Sequence, residues 1–441
     1  VSDVAPNTVV AGTGPRLDIG ERPPLRQWPA LSLQHLFAMF GATVLVPLLT
    51  GFSPAVALFT AGMGTLLYMA VTRFQVPVFL GSSFAFIAPL VAARELAGAD
   101  GAMQGAFAAG VVYLLVSALI ARLGIGWLLR LLPPVVVGPV IVVIGLGLAP
   151  VAVQMATGGG GSDYSLANLA VALFTLAVLI GFALVLRGFL STLPVLMAVL
   201  LGYGLAAALG MVDFEPVAEA SMFSTPDFTW FLGSLGSGVR WDVVLLVAPV
   251  ALVTMCEHVG DQVVVSRVTG RNFLADPGLH RTLAGDGLAT SLAALFGGPP
   301  NTTYGENIGV LAITRVFSIH VVAGAAALAV GLAFLGKVAA LVATVPPAVL
   351  GGVSIALFGS IAASGIRTLV EGRVDLSEKR NLLVASVILV LGVGGATLNV
   401  GSHWQLSPMA LAAIAGIFLH AVVPGRELAG RPEDILGDPP S

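Results

Sequence analysis

Glu306-Asn307-Ile308-Gly309-Val310-Leu311-Ala312-Ile313-Thr314-Arg315 decides how this chain is read, because it sets a carboxylate and an amide deep in an otherwise lipid-compatible sequence. The stretch before it, Gly297-Gly298-Pro299-Pro300-Asn301-Thr302-Thr303-Tyr304-Gly305, carries too many Gly and Pro for a continuous helix. An extended piece feeding a new helix leaves backbone N–H groups free to meet a ligand. An acidic residue at such a break is costly inside a membrane unless it handles a substrate or a proton. The pattern predicts a ligand site at a broken membrane helix.

The surrounding chain supports a membrane reading. Its 441 residues are 57% hydrophobic and 10% charged, with a mean hydropathy of +0.98. Soluble domains carry roughly 25% charged residues, so this is an integral membrane protein. Apolar runs of about twenty residues, enough to cross a bilayer, recur from Leu31 to Val423. About fourteen can be counted, some interrupted by Gly and Pro. They lack the alternation of barrel strands, so the spans are helical. Val1–Trp28 is polar and Pro-rich without an apolar h-region, and no signal peptide is expected. The single Cys256 excludes an internal disulfide framework and a cysteine metal cluster. A net charge of −3 gives no basis for binding nucleic acid.

Arg and Lys set the orientation. Crossing at each run from a cytoplasmic N-terminus leaves only Arg94 and Arg240 outside, with Lys337 in or near a span. The other cations, from Arg16 to Arg431, fall inside or at inner span ends. This positive-inside bias places both termini in the cytoplasm. The acidic residues Asp213, Glu215, Glu219 and Asp227 then belong to the longest outer loop.

Two halves of the chain echo each other. Pro133-Pro134-Val135-Val136-Val137-Gly138 recurs as Pro346-Pro347-Ala348-Val349-Leu350-Gly351, an offset of 213. Gln34-His35 pairs with Glu257-His258, and Gly81-Ser82-Ser83-Phe84-Ala85-Phe86 with Tyr304-Gly305-Glu306-Asn307-Ile308-Gly309, both at an offset of 223. About seven spans separate the partners, an odd number, so the halves run through the membrane in opposite senses. Inverted repeats with paired broken helices are a transporter signature, with the site where the breaks meet.

Several residues could carry the chemistry. Glu306, at the start of a half-helix, can accept N–H donors while neighbouring backbone N–H groups hold carbonyl oxygens. A ligand with alternating N–H and C=O along one edge, as in a pyrimidine dione, suits that arrangement. Asn307 either orients Glu306 or braces the loop. Glu257 is mid-span, where an acid faces the protein interior or a water-filled cavity. A site acid whose surroundings change on ligand binding also changes its proton affinity, which links the two events. Asp261 lies one turn further on the same face and either shares the site or pairs with a cytoplasmic-side arginine. His258 is about 100° round from Glu257 and is expected to bond a neighbouring helix. Phe84 opens the first half-helix, and an aromatic face beside a carboxylate fits a flat heterocycle. His35, in the pair aligned with Glu257-His258, reads as a hydrogen-bonding partner in the same core.

These residues resemble the nucleobase–ascorbate transporter family and, within it, the bacterial uracil permeases. The family signature is Gln, Glu or Pro, then Asn-x-Gly, four residues, Thr, and a basic or small residue. Glu306 to Arg315 matches it throughout. The likeness runs from Glu21-Arg22-Pro23-Pro24 to the last span. It takes in Ser32-Leu33-Gln34-His35-Leu36-Phe37-Ala38-Met39-Phe40-Gly41-Ala42-Thr43, Leu80-Gly81-Ser82-Ser83-Phe84-Ala85-Phe86 and Asp276-Pro277-Gly278-Leu279-His280-Arg281.

The resemblance implies an all-α polytopic membrane protein of about fourteen transmembrane segments in a seven-plus-seven inverted repeat. The third and tenth spans would each be a short strand plus a half-helix. The chain then divides into a cytoplasmic tail at 1–28, core-domain segments at 29–125 and 242–344, and gate-domain segments at 126–211 and 345–423. An extracytoplasmic loop at 212–241 and a cytoplasmic tail at 424–441 complete it. Glu257 and Glu306 match the two acids that bind uracil, Phe84 the aromatic that packs on its ring, and Gly305 and Tyr304 nearby backbone. Asp261, His35, Asn307 and Ser354 fall at supporting or proton-coupling positions.

The implied activity is proton-coupled uracil uptake across a bacterial inner membrane. It needs no metal or cofactor beyond the coupling proton, and dimerisation would run through the gate domains. A xanthine or other nucleobase permease, an uncoupled facilitator and an anion transporter of the same architecture are the rivals, whereas nothing suggests an enzyme. Two positions depart from the uracil-permease pattern: Asp261 stands where histidine is usual and Phe358 where tyrosine is usual. If those two positions touch in the family, both ends of one polar contact that could carry proton coupling have changed here.

Overall fold

The computed structural model describes residues 16–159, 163–186, 193–231, 233, 236, 238–400 and 404–424. Residues 1–15 of the N-terminal tail and 425–441 of the C-terminal tail lie outside the described residues, as do Arg187, Arg426 and Arg431 from the charge pattern.

Proline starts many of the helices, since its fixed φ suits the first turn and its missing N–H is no loss there. The first two are α1 (Trp28–Thr50) and α2 (Pro54–Val71), the latter capped by Ser53, whose hydroxyl accepts from the Val56 N–H at 3.5 Å. Strand β1 (Leu80–Ser82) and a 3-10 turn at Phe84–Phe86 lead into α3 (Ile87–Leu123). Gly98 breaks α3 with φ 70° and ψ −178°, so the part behind Phe84 is a separate half-helix. There follow α4 (Gly126–Leu131), α5 (Pro134–Gly147), α6 (Ala149–Thr157), α7 (Leu166–Val185), α8 (Pro194–Ala208) and the short α9 (Glu215–Glu219).

Next come α10 (Trp241–Val247), α11 (Val250–Thr269) and α12 (Leu279–Leu295). Strand β2 (Asn301–Thr303) feeds α13 (Gly305–Thr314), which ends at Arg315 in the left-handed conformation with φ 56°. The chain closes with α14 (Ile319–Ala333), α15 (Gly336–Ala343), α16 (Pro347–Glu371), α17 (Lys379–Val393), β3 (Leu398–Val400), β4 (Trp404–Leu406) and α18 (Pro408–Val422).

Among the described residues, seven helical stretches are long and apolar enough to cross a membrane, or eight when α14 and α15, bent by 83°, count as one span. Other apolar runs fold as shorter helices, such as α8 and α18, or as strand-and-helix pieces, so a count of apolar runs exceeds a count of long helices. The sequence pattern does not announce the hairpin of β3 and β4, paired from Leu398↔Leu406 to Val400↔Trp404.

The helices pack in two groups. In one, α12 lies on α2 and α3, and α14 on α1 and α2. In the other, α16 lies on α5, α6 and α7, and α17 on α5 and α18. α11 touches both, meeting α3 and α13 on one side and α5 and α18 on the other.

The two breaks meet as an antiparallel pair, Leu80↔Thr303, Gly81↔Thr302 and Ser82↔Asn301. This pairing satisfies backbone groups that the breaks would otherwise leave bare within the membrane. Gly81 permits it, because a Cβ there would sit 2.5 Å from the Tyr304 ring and 2.6 Å from Thr43 Oγ1.

The two ends of the bundle differ in charge. At one, residues 16–21 form a strap over the α13–α14 link, with Arg16 N–H donating to Arg315 O and Phe317 N–H to Leu17 O, each at 2.8 Å. Ile19 is buried beneath it, and Asp18 pairs with Arg271 at 2.7 Å. Arg267 and Glu371 pair at 2.9 Å at the same end. At the other end Arg240 bonds Asp242 and Leu96 O, while Lys337 donates to Val217 O at 3.2 Å.

Candidate functional site

The two broken segments border one cavity of about 450 Å³. Phe84 stands at one wall; α11 contributes Glu257 and Asp261, and the β2–α13 break contributes Thr303, Tyr304, Gly305 and Glu306. Leu357 and Ser360 of α16 line the opposite side, and the space continues to Arg367 and Thr368. The cavity thus reaches the end of the bundle where the strap lies and where Arg267, Arg271 and Arg315 cluster.

Each polar group has a structural reason to be there. Glu306 is the second residue of α13, at a helix N-terminus whose free N–H groups and dipole favour negative charge. Glu257 and Asp261 are one turn apart on α11 and share the cavity face. All three acids are half-buried, and among the described residues none takes part in a salt bridge. Gly305 is exposed to the cavity, leaving its backbone open to a ligand. Tyr304 is buried; its hydroxyl donates to Ser82 O at 2.8 Å and accepts from Thr43 Oγ1 at 3.3 Å. Phe84 is buried and meets Phe358 of α16 edge to face, with ring centroids 5.6 Å apart and planes at 81°.

The supporting residues lie behind this surface. Asn307 braces α13 against α1, its Nδ2 donating to His35 O at 3.0 Å and approaching His35 Nδ1 at 3.2 Å. Both of these bonds run to His35 of α1 and neither to Glu306. His35 and Ser354 are buried and do not line the cavity, and Ser354 Oγ has no hydrogen-bond partner among the described residues. Asp261 bonds Thr303 Oγ1 at 3.0 Å rather than an arginine. The two departures from the family pattern therefore take other partners here, Asp261 a threonine within the β2 break and Phe358 the ring of Phe84.

Two features escaped the sequence reading. Thr303 was indistinguishable there from any other hydroxyl in a polar break. Asp286 pairs with His258, Nδ1 to Oδ2, at 2.8 Å with both side chains fully buried. His258 Nε2 also meets Thr282 Oγ1 at 3.0 Å, so the expected bond to a neighbouring helix runs to α12. The signal for Asp286 was present, since an acid between Gly285 and Gly287 in an apolar helix needs a partner or a role. No group of three or more His, Cys, Asp and Glu is placed to hold a metal among the described residues. The arrangement offers carboxylate acceptors, backbone and hydroxyl donors and an aromatic face, which suits a planar heterocycle with N–H and C=O on its edges.

Known proteins resemble this chain in sequence and fold. The Permease family model (Xan_ur_permease) matches residues 26–401. A uracil permease of Bacillus caldolyticus is 54% identical over 415 residues, covering 94% of this chain and 96% of its own. The uracil permease of Escherichia coli K12 is 44% identical over 429 residues, covering 96% and 97% respectively. Among solved structures, the transmembrane domain of the cyanobacterial bicarbonate transporter BicA superposes with a TM-score of 0.65 at 15% identity, over 88% of this chain and 97% of that one. At that identity the likeness speaks for the fold alone.

Proposed function

The chain belongs to the Permease family, and from that premise we propose that it is a uracil permease that imports its substrate with a proton. The observation that carries the reading is the convergence of Glu257, Glu306 and Phe84, from three separate elements, on one cavity. Uracil presents N–H groups for the two carboxylates and carbonyl oxygens for the backbone around Gly305, with its ring against Phe84. As a permease the protein moves its substrate rather than transforming it.

The architecture that fits is a seven-plus-seven inverted repeat in a bacterial inner membrane, with both termini cytoplasmic. Segments 29–125 and 242–344 form the core domain; 126–211 and 345–423 form the gate, which also supplies the dimer contact. The cavity reaches Arg367 at the Arg-rich end, which the positive-inside rule makes cytoplasmic, so this conformation is open inward. In the cycle, Glu257 takes a proton from outside and uracil bridges Glu257 and Glu306. The loaded core then moves against the gate, and Asp261 takes part in proton exchange.

The apolar contact of Phe84 with Phe358 favours one second reading, an uncoupled uracil facilitator, because no polar latch joins core and gate there. Uptake of labelled uracil into proteoliposomes under an inward proton gradient separates the two. Accumulation that collapses with a protonophore supports symport, uptake that only equilibrates supports the facilitator, and no uptake refutes the uracil assignment.

A further inference from the structure

Asp261 lies under the turn by which β2 becomes α13. Its Oδ2 accepts from Thr303 Oγ1 at 3.0 Å, and its Oδ1 is 3.9 Å from where a Cβ on Gly305 would stand. The other side of this turn is held firmly. Tyr304 N–H donates to Phe79 O at 3.0 Å, its hydroxyl donates to Ser82 O, and Thr303 pairs with Leu80 across the strands. Thr303 also lines the cavity, three residues before Glu306. The titratable groups around Asp261 are Glu257 on its own helix, Glu306 on α13, Asp286 on α12 and Tyr68 on α2, with no salt bridge to a cation among the described residues.

We infer that Thr303 is a positioning residue that reports the protonation of Asp261 to the substrate, an inference that rests on the proton-coupled reading of this site. An ionised carboxylate only accepts, so it claims the single hydroxyl proton of Thr303. A protonated Asp261 can instead donate to the Thr303 oxygen, which frees the Thr303 proton for the cavity. Reversing this one hydrogen bond moves no backbone, yet it adds an O–H donor beside Glu306 where a carbonyl oxygen of the base can accept it. Proton and uracil then favour each other's binding by the same factor.

The test is uracil affinity of purified full-length protein across a pH series, for the parent and for Thr303→Ser, Thr303→Val and Asp261→Asn. One neutral hydrogen bond predicts parental affinity roughly 2- to 10-fold tighter at acid than at neutral pH. Thr303→Ser keeps the hydroxyl and should keep this dependence. Thr303→Val should bind more weakly than the parent at acid pH and lose the part of the pH dependence that runs through Asp261, keeping only what Glu257 contributes. Asp261→Asn, whose NH2 can donate to the Thr303 oxygen at any pH, should bind closer to the tighter limit with little pH dependence through this position.

A Thr303→Val variant that tracks the parent, or an Asp261→Asn variant fixed at the weak limit, overturns the role of Thr303 and leaves the symport reading intact. A parent whose affinity ignores pH refutes the inference together with the proton-coupled reading beneath it. Asp261→Asn reports independently should Thr303→Val fail to fold.

Discussion

Asp286→Leu should be one of the more damaging single substitutions in this protein, although Asp286 lies outside the cavity. Asp286 and His258 are both 0% exposed and stand 2.8 Å apart, so neither can turn to water when its partner is removed. His258 would keep only Thr282, at 3.0 Å from Nε2, and would lose the buried carboxylate that faces its Nδ1. Breaking a buried pair in this way costs about 3–5 kcal/mol. His258→Leu should cost a similar amount for the converse reason. The double variant relieves both stranded groups, so its cost should fall well below the sum, by roughly 2 kcal/mol or more.

Thermal unfolding of the four detergent-purified proteins completes the cycle, and each single variant should melt roughly 3–5 °C below the parent. Because His258 follows Glu257 directly on α11, surviving single variants should also bind uracil more weakly. Singles melting within about 1 °C of the parent, or a double variant as unstable as the two costs added, would refute the reasoning.

Three further outcomes follow from the same structure. Glu306→Gln exchanges a charge-assisted bond for a neutral one and should weaken uracil binding roughly 10- to 100-fold in equilibrium binding; parental affinity would remove Glu306 from the site. Gly81→Ala should cost about 1–3 kcal/mol in thermal unfolding, because the Tyr304 ring 2.5 Å away is held by Ser82 and Thr43. An unchanged melting point would mean that the ring can retreat. In the strap, Asp18→Asn should cost no more than about 1 kcal/mol, since Asp18 and Arg271 are both about half exposed. Ile19→Asp puts a charge where the side chain is 3% exposed and should cost about 2–4 kcal/mol, so similar losses for the two would contradict the burial seen here.

Much of the site was legible before any coordinates. Glu306 stood out because an acid beside Pro and Gly in an apolar run has few innocent explanations. Glu257 stood out for its mid-span position, and Phe84 only because the offset of 223 aligned it with the second break. The meeting of β1 with β2 is what such a repeat predicts. By contrast, Asn307, Asp261 and His258 each had two or more plausible partners along the chain. The β3–β4 hairpin had no pattern strong enough to separate it from a loop.

Membrane class, the broken segments and the acids within them came from the sequence alone, because hydropathy, charge placement and chain breaks are local properties that survive being read one residue at a time. Only the tertiary structure decided that Asp261 bonds Thr303, that Asp286 holds His258, that Asn307 braces His35 and that residues 16–21 strap the end of α13. Those partnerships join residues far apart in the chain and differ from their rivals by about 1 kcal/mol per hydrogen bond, so they are settled only once the helices have packed to within tenths of an ångström.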